Sequence, residues 1–303
     1  MTGDWAMSHP GIGVVVPHDM ALDAELWRWT PPQVSLHMTR TAWTPLPVGV
    51  DMAIALGEAE LVAPGVRDLS AVEPQLYVYG CTSGSFVRGR AGERELVAAM
   101  IDAGAPDAIT TSGALLEALL HLGVRRPAVA TPYDEDLTEL LDTFLDEAGD
   151  LEVVSSSQLG LDHDVWKVPY PVVTDLIVQA DRDDADAVVV SCTNLATYDV
   201  IADLEAELGK PVITANQATM WAALRRVGHR AVGPGQRLLA DERPDDATAE
   251  FATDTGMSGA PATSAQDTTA TQDATTQDAT TQNATTQDTT AQHATRAPRR
   301  THG

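Results

Sequence analysis

The sequence predicts an α/β protein made of two similar lobes, each a parallel sheet with helices on both faces. Three observations support this. Short β-rich runs alternate with helical patterns from residue 11 to residue 230; several of those runs are predominantly apolar, with consecutive Val and Ile rather than alternation; and three stretches recur in the same order at offsets of 115, 111 and 104 residues. Strands that are apolar throughout must be covered on both faces, and alternating β and α elements place them side by side in parallel.

Strands are expected at 12–17 (IGVVVP), 34–38, 76–80 (LYVYG), 107–111, 127–131 (PAVAT), 152–156, 186–191 (DAVVVS) and 211–214. Helices fill the intervals, with apolar residues at i, i+3, i+4 and i+7. The clearest spans 134–148, where Leu137, Leu140, Leu141, Phe144 and Leu145 form one face and Gly149 supplies the stop. Residues 93–103 repeat the pattern with Leu96, Val97, Met100 and Ile101 before Gly104, and residues 199–208 do likewise.

The recurrences are specific. Pro17-His18-Asp19, three residues before Leu22, matches Pro132-Tyr133-Asp134, three residues before Leu137. Val78 to Ser83 (VYGCTS) matches Val189 to Asn194 (VVSCTN), and Ile109-Thr110 with Ala114 and Leu120 matches Ile213-Thr214 with Ala218 and Leu224. Slowly drifting offsets in one order indicate a duplicated unit. The expected domains are therefore a first Rossmann-like lobe at 11–123 and a pseudo-symmetric second lobe at 124–230, with an active site in the cleft between them. Residues 243–303 differ in kind. From Gln266 they run in a five-residue repeat of Gln, Asp, Ala and Thr with no large aliphatic residue, too little apolar surface to offset ordering entropy, so a disordered tail is expected.

The chain of 303 residues carries 44 Asp and Glu against 19 Lys and Arg, a formal net charge of −25. Residues 234–303 hold 10 acidic residues and 5 Arg, so most of the excess lies on the lobes. Such a surface argues against nucleic acid, which needs a basic footprint, and against an anionic membrane. No stretch approaches 18 uncharged apolar residues, and Met1 to Pro10 lack a basic and apolar leader pattern, so a cytoplasmic, unexported protein is expected. Asn283-Ala284-Thr285, a sequon by pattern, is then incidental. Only Lys167 and Lys210 are lysines, and an acidic, Lys-poor surface suits a high-salt cytoplasm; an Arg-biased, GC-rich genome is the alternative source of the same composition.

The two cysteines, Cys81 and Cys192, exclude a disulfide scaffold, and no metal-ligand spacing accompanies them. Each ends a buried strand and is followed by small hydroxyl or amide residues. That edge of a parallel sheet is where ligands bind. Backbone N–H groups of Thr82, Ser83 and Gly84, and of Thr193 and Asn194, are expected to form anion-favouring nests that lower the thiol pKa values. A lone Cys at a strand end is most often a small buried hydrophobe, but two at repeat-equivalent positions point to a pair flanking one cleft. Such a pair can add a thiolate to one side of a carbon and move a proton on the other. Other thiol chemistries fit less well. A phosphate-binding C-x5-R loop needs Arg where Val87 stands, a Cys–His hydrolase leaves one Cys unexplained, and Gly11-x-Gly13 precedes its strand, so it is no dinucleotide fingerprint.

GCTSGSF (80–86), ATPYDEDL (130–137) and SCTN (191–194), in this order and spacing, resemble the maleate cis-trans isomerase and arylmalonate decarboxylase family of the aspartate/glutamate racemase superfamily. The resemblance covers about residues 11–228. It implies two pseudo-symmetric lobes, no cofactor and no metal, a small carboxylate as substrate, and a homo-oligomer. In the isomerase branch the first Cys adds to an alkene carbon, the central bond rotates, and elimination releases the trans acid. Carried onto this chain, that makes Cys81 the nucleophile and Cys192 the proton donor and acceptor, with Thr82, Ser83, Thr193, Asn194 and Tyr133 holding substrate. The decarboxylase branch lacks a Cys at the first position, so Cys81 speaks for isomerisation. Racemases of the superfamily also use two cysteines and stay open, as does a non-catalytic small-acid binder.

The chain departs from the isomerase pattern in two places. The branch reads VPSSN after its first strand, whereas this chain has Val16-Pro17-His18-Asp19-Met20, with Met at the Asn position. A second substrate Asn is expected near residue 163, where His163 and Asp164 stand. Relatives in ectoine degradation also diverge at the first stretch. His18, at the repeat position of Tyr133, is a candidate to line the site in place of the lost amides; a solvated loop His is the plainer alternative. His37 and His121 read as structural or surface residues, and Trp27 and Trp29 as lobe packing.

Overall fold

The computed structural model describes residues 9–240. The expected disordered tail at 243–303 lies outside the described residues. The first lobe runs β1 (Gly11–Val16), α1 (Asp23–Trp29), β2 (Ser35–Arg40), α2 (Val50–Leu56), α3 (Ala59–Leu69), β3 (Leu76–Tyr79), α4 (Thr82–Phe86), α5 (Gly89–Asp102), β4 (Ala108–Thr110) and α6 (Thr111–His121). The second runs β5 (Pro127–Thr131), α7 (Glu135–Asp146), β6 (Ser155–Gln158), α8 (Tyr170–Ala180), β7 (Ala187–Val190), α9 (Ile201–Leu208), β8 (Val212–Thr214) and α10 (Ala215–Arg226), followed by α11 (Arg237–Ala240). All strand pairs are parallel, in the orders β2-β1-β3-β4 and β6-β5-β7-β8, so the two sheets share one topology. No described helix is long and apolar enough to cross a membrane.

The apolar strand runs are buried as their composition requires: every residue of β1, β3, β5 and β7 is buried. Three cores result. One lies under the outer helices of the first sheet (Val15, Val62, Val66, Tyr77, Leu96, Met100), and one under those of the second (Ala128, Val173, Ile177, Val188, Leu204). The third joins inward-facing residues of both sheets, among them Val14, Val78, Leu115, Val129, Leu137, Val189 and Leu224. The equivalent helices α6 and α10 meet in it, with Thr111 Oγ1 3.1 Å from Thr219 Oγ1 and the rings of His121 and Trp221 5.1 Å apart.

Local chemistry sets the boundaries. Asp134 caps α7 by accepting from Leu137 N at 2.9 Å, and Leu137, Leu141, Phe144 and Leu145 are fully buried while Leu140 is half-buried. Thr110 caps α6 by accepting from Gly113 N at 2.9 Å. Gly104, Gly149 and Gly209 adopt positive φ where the helices before them end. Two expectations shift. The strand expected at 152–156 lies at 155–158; its polar Ser155-Ser156-Ser157 form the half-exposed edge of the sheet, where the Val153-Val154 pair had marked the sequence. Ile101, expected on the inner face of α5, is exposed. Glu93 turns inward instead, because Thr110 Oγ1 donates to its carboxylate at 2.7 Å. Trp29 is buried with its indole donating to Gln236 Oε1 at 2.9 Å, whereas Trp27 is half-exposed.

Candidate active site

The carboxyl ends of β3 and β7 face one small cavity, lined by Cys81, Thr82, Ser83, Tyr133, Cys192, Thr193 and Asn194. Seven of the eight residues expected at the site are thus brought together. The remaining wall is Pro17, Asp19, Met20, Val48, Gly49, Met52, Ala53, Leu56 and Val165, which is apolar apart from Asp19. His18 lies elsewhere. It lines an adjoining, wider outer pocket with Leu46, Trp166 and the Asp162-His163-Asp164 stretch, and its Nδ1 is buried with no partner among the described residues. His163 is exposed and turned onto Asp162, and Asp164 pairs with Lys167 at 2.9 Å, so both face the outer pocket rather than the thiols.

Cys81 sits at the N-cap of α4 with extended backbone (φ −138°, ψ 117°), and its Sγ accepts from Gly84 N at 3.4 Å. Glycine is required at 84, since a Cβ there would stand 2.7 Å from Tyr79 Oη and 3.2 Å from Cys81 Sγ. A buried hydroxyl hub holds the turn from below. Ser85 Oγ lies 2.7 Å from Cys81 O, 2.9 Å from Thr82 O and 2.7 Å from Ser112 Oγ, and Ser112 Oγ reaches Thr82 O at 3.0 Å. Thr82 Oγ1 is buried against the cavity and has no partner among the described residues, a hydroxyl left free for a ligand.

Cys192 stands at φ 100°, a conformation that costs a non-glycine residue backbone strain, and its Sγ accepts from Asn194 N at 3.4 Å. No helix follows it directly. Thr193 Oγ1 donates to Gly80 O at 3.3 Å, tying this turn to the residue before Cys81. Both ends of the Asn194 amide are engaged by the first lobe: Oδ1 accepts from Ala21 N at 2.9 Å and Nδ2 donates to Asp19 O at 3.0 Å. Ser191 Oγ donates to the buried Tyr133 hydroxyl at 3.3 Å. Sequence reasoning missed the groups behind this turn, Glu25 and Asn216. Glu25 Oε1 accepts from Thr197 N at 2.6 Å and Tyr198 N at 2.8 Å, and Asn216 Nδ2 donates both to Glu25 Oε2 at 2.5 Å and to Thr193 O at 2.9 Å.

The expectation of lowered thiol pKa values is reversed. Burial pushes Cys81 up to about 11 and Cys192 up to about 12, and the charge of Asp19 adds to both. The N–H donors Gly84 and Asn194 act in the expected direction, as do the hydroxyls of Tyr79 and Ser83 at Cys81 and of Tyr133 at Cys192, but together they do not offset desolvation. Burial likewise raises the Tyr79 and Tyr133 hydroxyls well above the usual phenol range. No group of three or more His, Cys, Asp or Glu among the described residues could hold a metal ion. What the arrangement can do is present two protonated thiols, and one free hydroxyl, to a small molecule with an apolar part.

Comparison with known proteins agrees with this geometry. The family model described as arylmalonate decarboxylase matches residues 60–240. The arylmalonate decarboxylase of Bordetella bronchiseptica is 34% identical over 241 residues, covering 78% of this chain and 98% of that protein. A maleate isomerase of Pseudomonas putida is 30% identical over 185 residues, covering 57% of this chain and 72% of that protein. Among solved structures, a mutant of arylmalonate decarboxylase in a liganded form superposes with a TM-score of 0.71 at 32% identity, covering 77% of this chain and all of that one.

Proposed function

The chain belongs to the arylmalonate decarboxylase family, within the aspartate/glutamate racemase superfamily, and from that premise we propose that it is a cofactor-independent isomerase of a small unsaturated carboxylic acid. The observation that carries this reading is the pair of thiols on one cavity. The decarboxylase branch lacks the first of them, whereas the maleate isomerase relatives point to chemistry at a double bond.

The steps follow from the geometry. Cys81 gives up its proton to solvent and adds through Sγ to one alkene carbon; the π pair moves to the carbon beside the carboxylate, which takes the proton of Cys192. The former double bond is now single and rotates. Cys192 thiolate removes the same proton, the C–S bond breaks with its electron pair returning to Cys81, and the trans acid leaves; Cys81 then regains its proton from solvent, so both sulfurs end as thiols. The high pKa of Cys192 suits the reverse proton abstraction, because a thiolate that is a stronger base removes a carbon-bound proton more readily. Thr82 Oγ1, Ser83 and the backbone beside Cys81 serve the substrate carboxylate, and the Tyr133 hydroxyl serves its far edge.

The wall sets the rest of the substrate. Met20 replaces an amide of the isomerase pattern, Asn194 is tied to the first lobe, and Asp19 places a negative charge on the lining. A second carboxylate would meet Met52, Ala53, Leu56 and Val165 with no donor, so a monoanion with an apolar substituent suits the cavity better than a dianion. Decarboxylation of a substituted malonate is the second reading, favoured by the 34% identity to the decarboxylase and by the same apolar wall.

Proton NMR of the protein with cis-enoic acids, maleate and substituted malonates in D2O separates these. Isomerisation of an enoic acid is expected, with Cys81→Ala and Cys192→Ala each reducing turnover by about 1,000-fold or more. A substrate-sized mass increment is expected on Cys81 of the Cys192→Ala protein. Full turnover in Cys81→Ala overturns the isomerase reading, and loss of CO2 from a malonate without alkene chemistry establishes the second.

A further inference from the structure

Glu25 has no place in the reaction just described, yet it is a buried carboxylate aimed at the back of one thiol's turn. It lies on α1 of the first lobe, in a stretch (DAELWRW) whose other acid, Asp23, pairs with Arg40 at the surface. Its side chain crosses to the second lobe and accepts the backbone N–H groups of Thr197 and Tyr198, at 2.6 Å and 2.8 Å. Its second oxygen takes Asn216 Nδ2, which also donates to Thr193 O, the carbonyl directly after Cys192. Neighbouring contacts press the same surfaces together: Arg28, one turn later on α1, pairs with Asp199 at 2.5 Å and stacks 3.7 Å over the Tyr198 ring, while Tyr170 donates to Asp199 at 2.9 Å.

The turn needs such support. Cys192 is held at φ 100°, and strain of that kind persists only where surrounding bonds over-determine it. Thr193 is fixed from two sides, through its hydroxyl to Gly80 O and through its carbonyl to Asn216. Asn216 cannot change its arrangement freely, since turning the amide over would face its oxygen at both the Glu25 carboxylate and the Thr193 carbonyl.

We propose that Glu25 is a positioning residue for Cys192: through the Asn216 bridge and the Thr197–Tyr198 amides, a carboxylate from one lobe holds the strained turn of the other in the conformation that encloses the sulfur. The proposal rests on Cys192 being a reacting group, and it makes the two lobes functionally inseparable, because the proton-transfer thiol is shaped by a residue of the lobe that carries the nucleophile.

The test reads each thiol separately and needs no substrate. Glu25→Gln keeps the shape but turns a donor toward Asn216 Nδ2; Asn216→Ala removes the bridge while keeping the two backbone bonds of Glu25. Glu205→Gln is the control, a buried carboxylate of the second lobe that accepts from Val212 N and Arg237 N and touches neither cysteine. Iodoacetamide labelling of the full-length proteins, quantified for each cysteine by mass spectrometry, is expected to show Cys192 labelled at least about threefold faster relative to Cys81 in both test variants, as the turn opens and water reaches the sulfur. The same ratio is expected to stay at the wild-type value in Glu205→Gln. An unchanged ratio in both test variants overturns the proposal, and so does a parallel rise at both cysteines or an equal rise in the control. Should Glu25→Gln fail to fold, Asn216→Ala decides alone.

Discussion

The turns after β3 and β7 occupy equivalent places in two sheets of the same topology, yet they hold their thiols by different means. Cys81 is unstrained, caps a short helix, and is supported by hydroxyls of its own lobe, Ser85 and Ser112. Cys192 is strained, precedes an irregular loop, and is supported by bonds that cross between the lobes: Asn194 reaches Ala21 and Asp19 of the first lobe, and Glu25 of the first lobe reaches Thr197 and Tyr198. Duplication supplies two sulfurs. Their supports, not their positions in the repeat, make their geometries unequal, one thiol on relaxed backbone and one at positive φ.

The largest consequence is in proton affinity. Alkylation rates followed against pH are expected to climb until about 11 for Cys81 and about 12 for Cys192, where an ordinary thiol levels off near about 8.5. The sign for stability follows from the same shifts. Both thiols ionise more easily in the unfolded chain than in the folded one, so the folded state loses stability as pH rises from the ordinary thiol value through these two. A plateau near the ordinary value at either cysteine would remove the burial argument for that turn.

Much of this architecture was legible in the sequence, for identifiable reasons. β1, β3, β5 and β7 are buried on both faces, so their composition alone marks them, and the recurrence of VYGCTS as VVSCTN placed the two thiols before any coordinates. The failures have a common cause. Glu25 reads as the wet face of a short helix, and nothing local says that Thr197, Tyr198 and Asn216 wait for it some 170 to 190 residues later. Asn194 reads as a free amide because its partners are backbone groups of the other lobe. The direction of the thiol pKa shifts went wrong in the same way: a nest of N–H groups is a local pattern, whereas desolvation is summed over the whole fold. Long-range partners and burial are the quantities that a pattern of residues does not carry.

Next in size is the crossing staple. Asn194→Ala removes two bonds between the lobes and is expected to cost about 1–3 kcal/mol of stability, since Ala21 N and Asp19 O lose their partner. Hydrogen exchange is expected to quicken at Ala21. Ser85→Ala is expected to quicken exchange at 82–86 and Ser112 alone, because its bonds stay within one lobe. If Asn194→Ala left the Ala21 amide protected, the second turn would not depend on the first lobe and the contrast between the two supports would fail.

The finest discrimination comes from placing glycine at each thiol position. At Cys192 the backbone already sits where glycine is at ease, so Cys192→Gly trades a partly buried side chain for relief of about 1 kcal/mol or more of strain and is expected to leave stability nearly unchanged. At Cys81 the backbone is extended, with nothing to relieve; Cys81→Gly loses a buried thiol and a helix cap and adds unfolded-state freedom, for an expected loss of about 1–2 kcal/mol. Urea midpoints at constant slope measure the gap between the two variants. Equal losses would mean that the positive φ at Cys192 stores no strain, and the turn would then need no bracing from Glu25 or Asn194. A loss confined to Cys81→Gly would place the strain at the thiol assigned to proton transfer, the one whose geometry the other lobe controls.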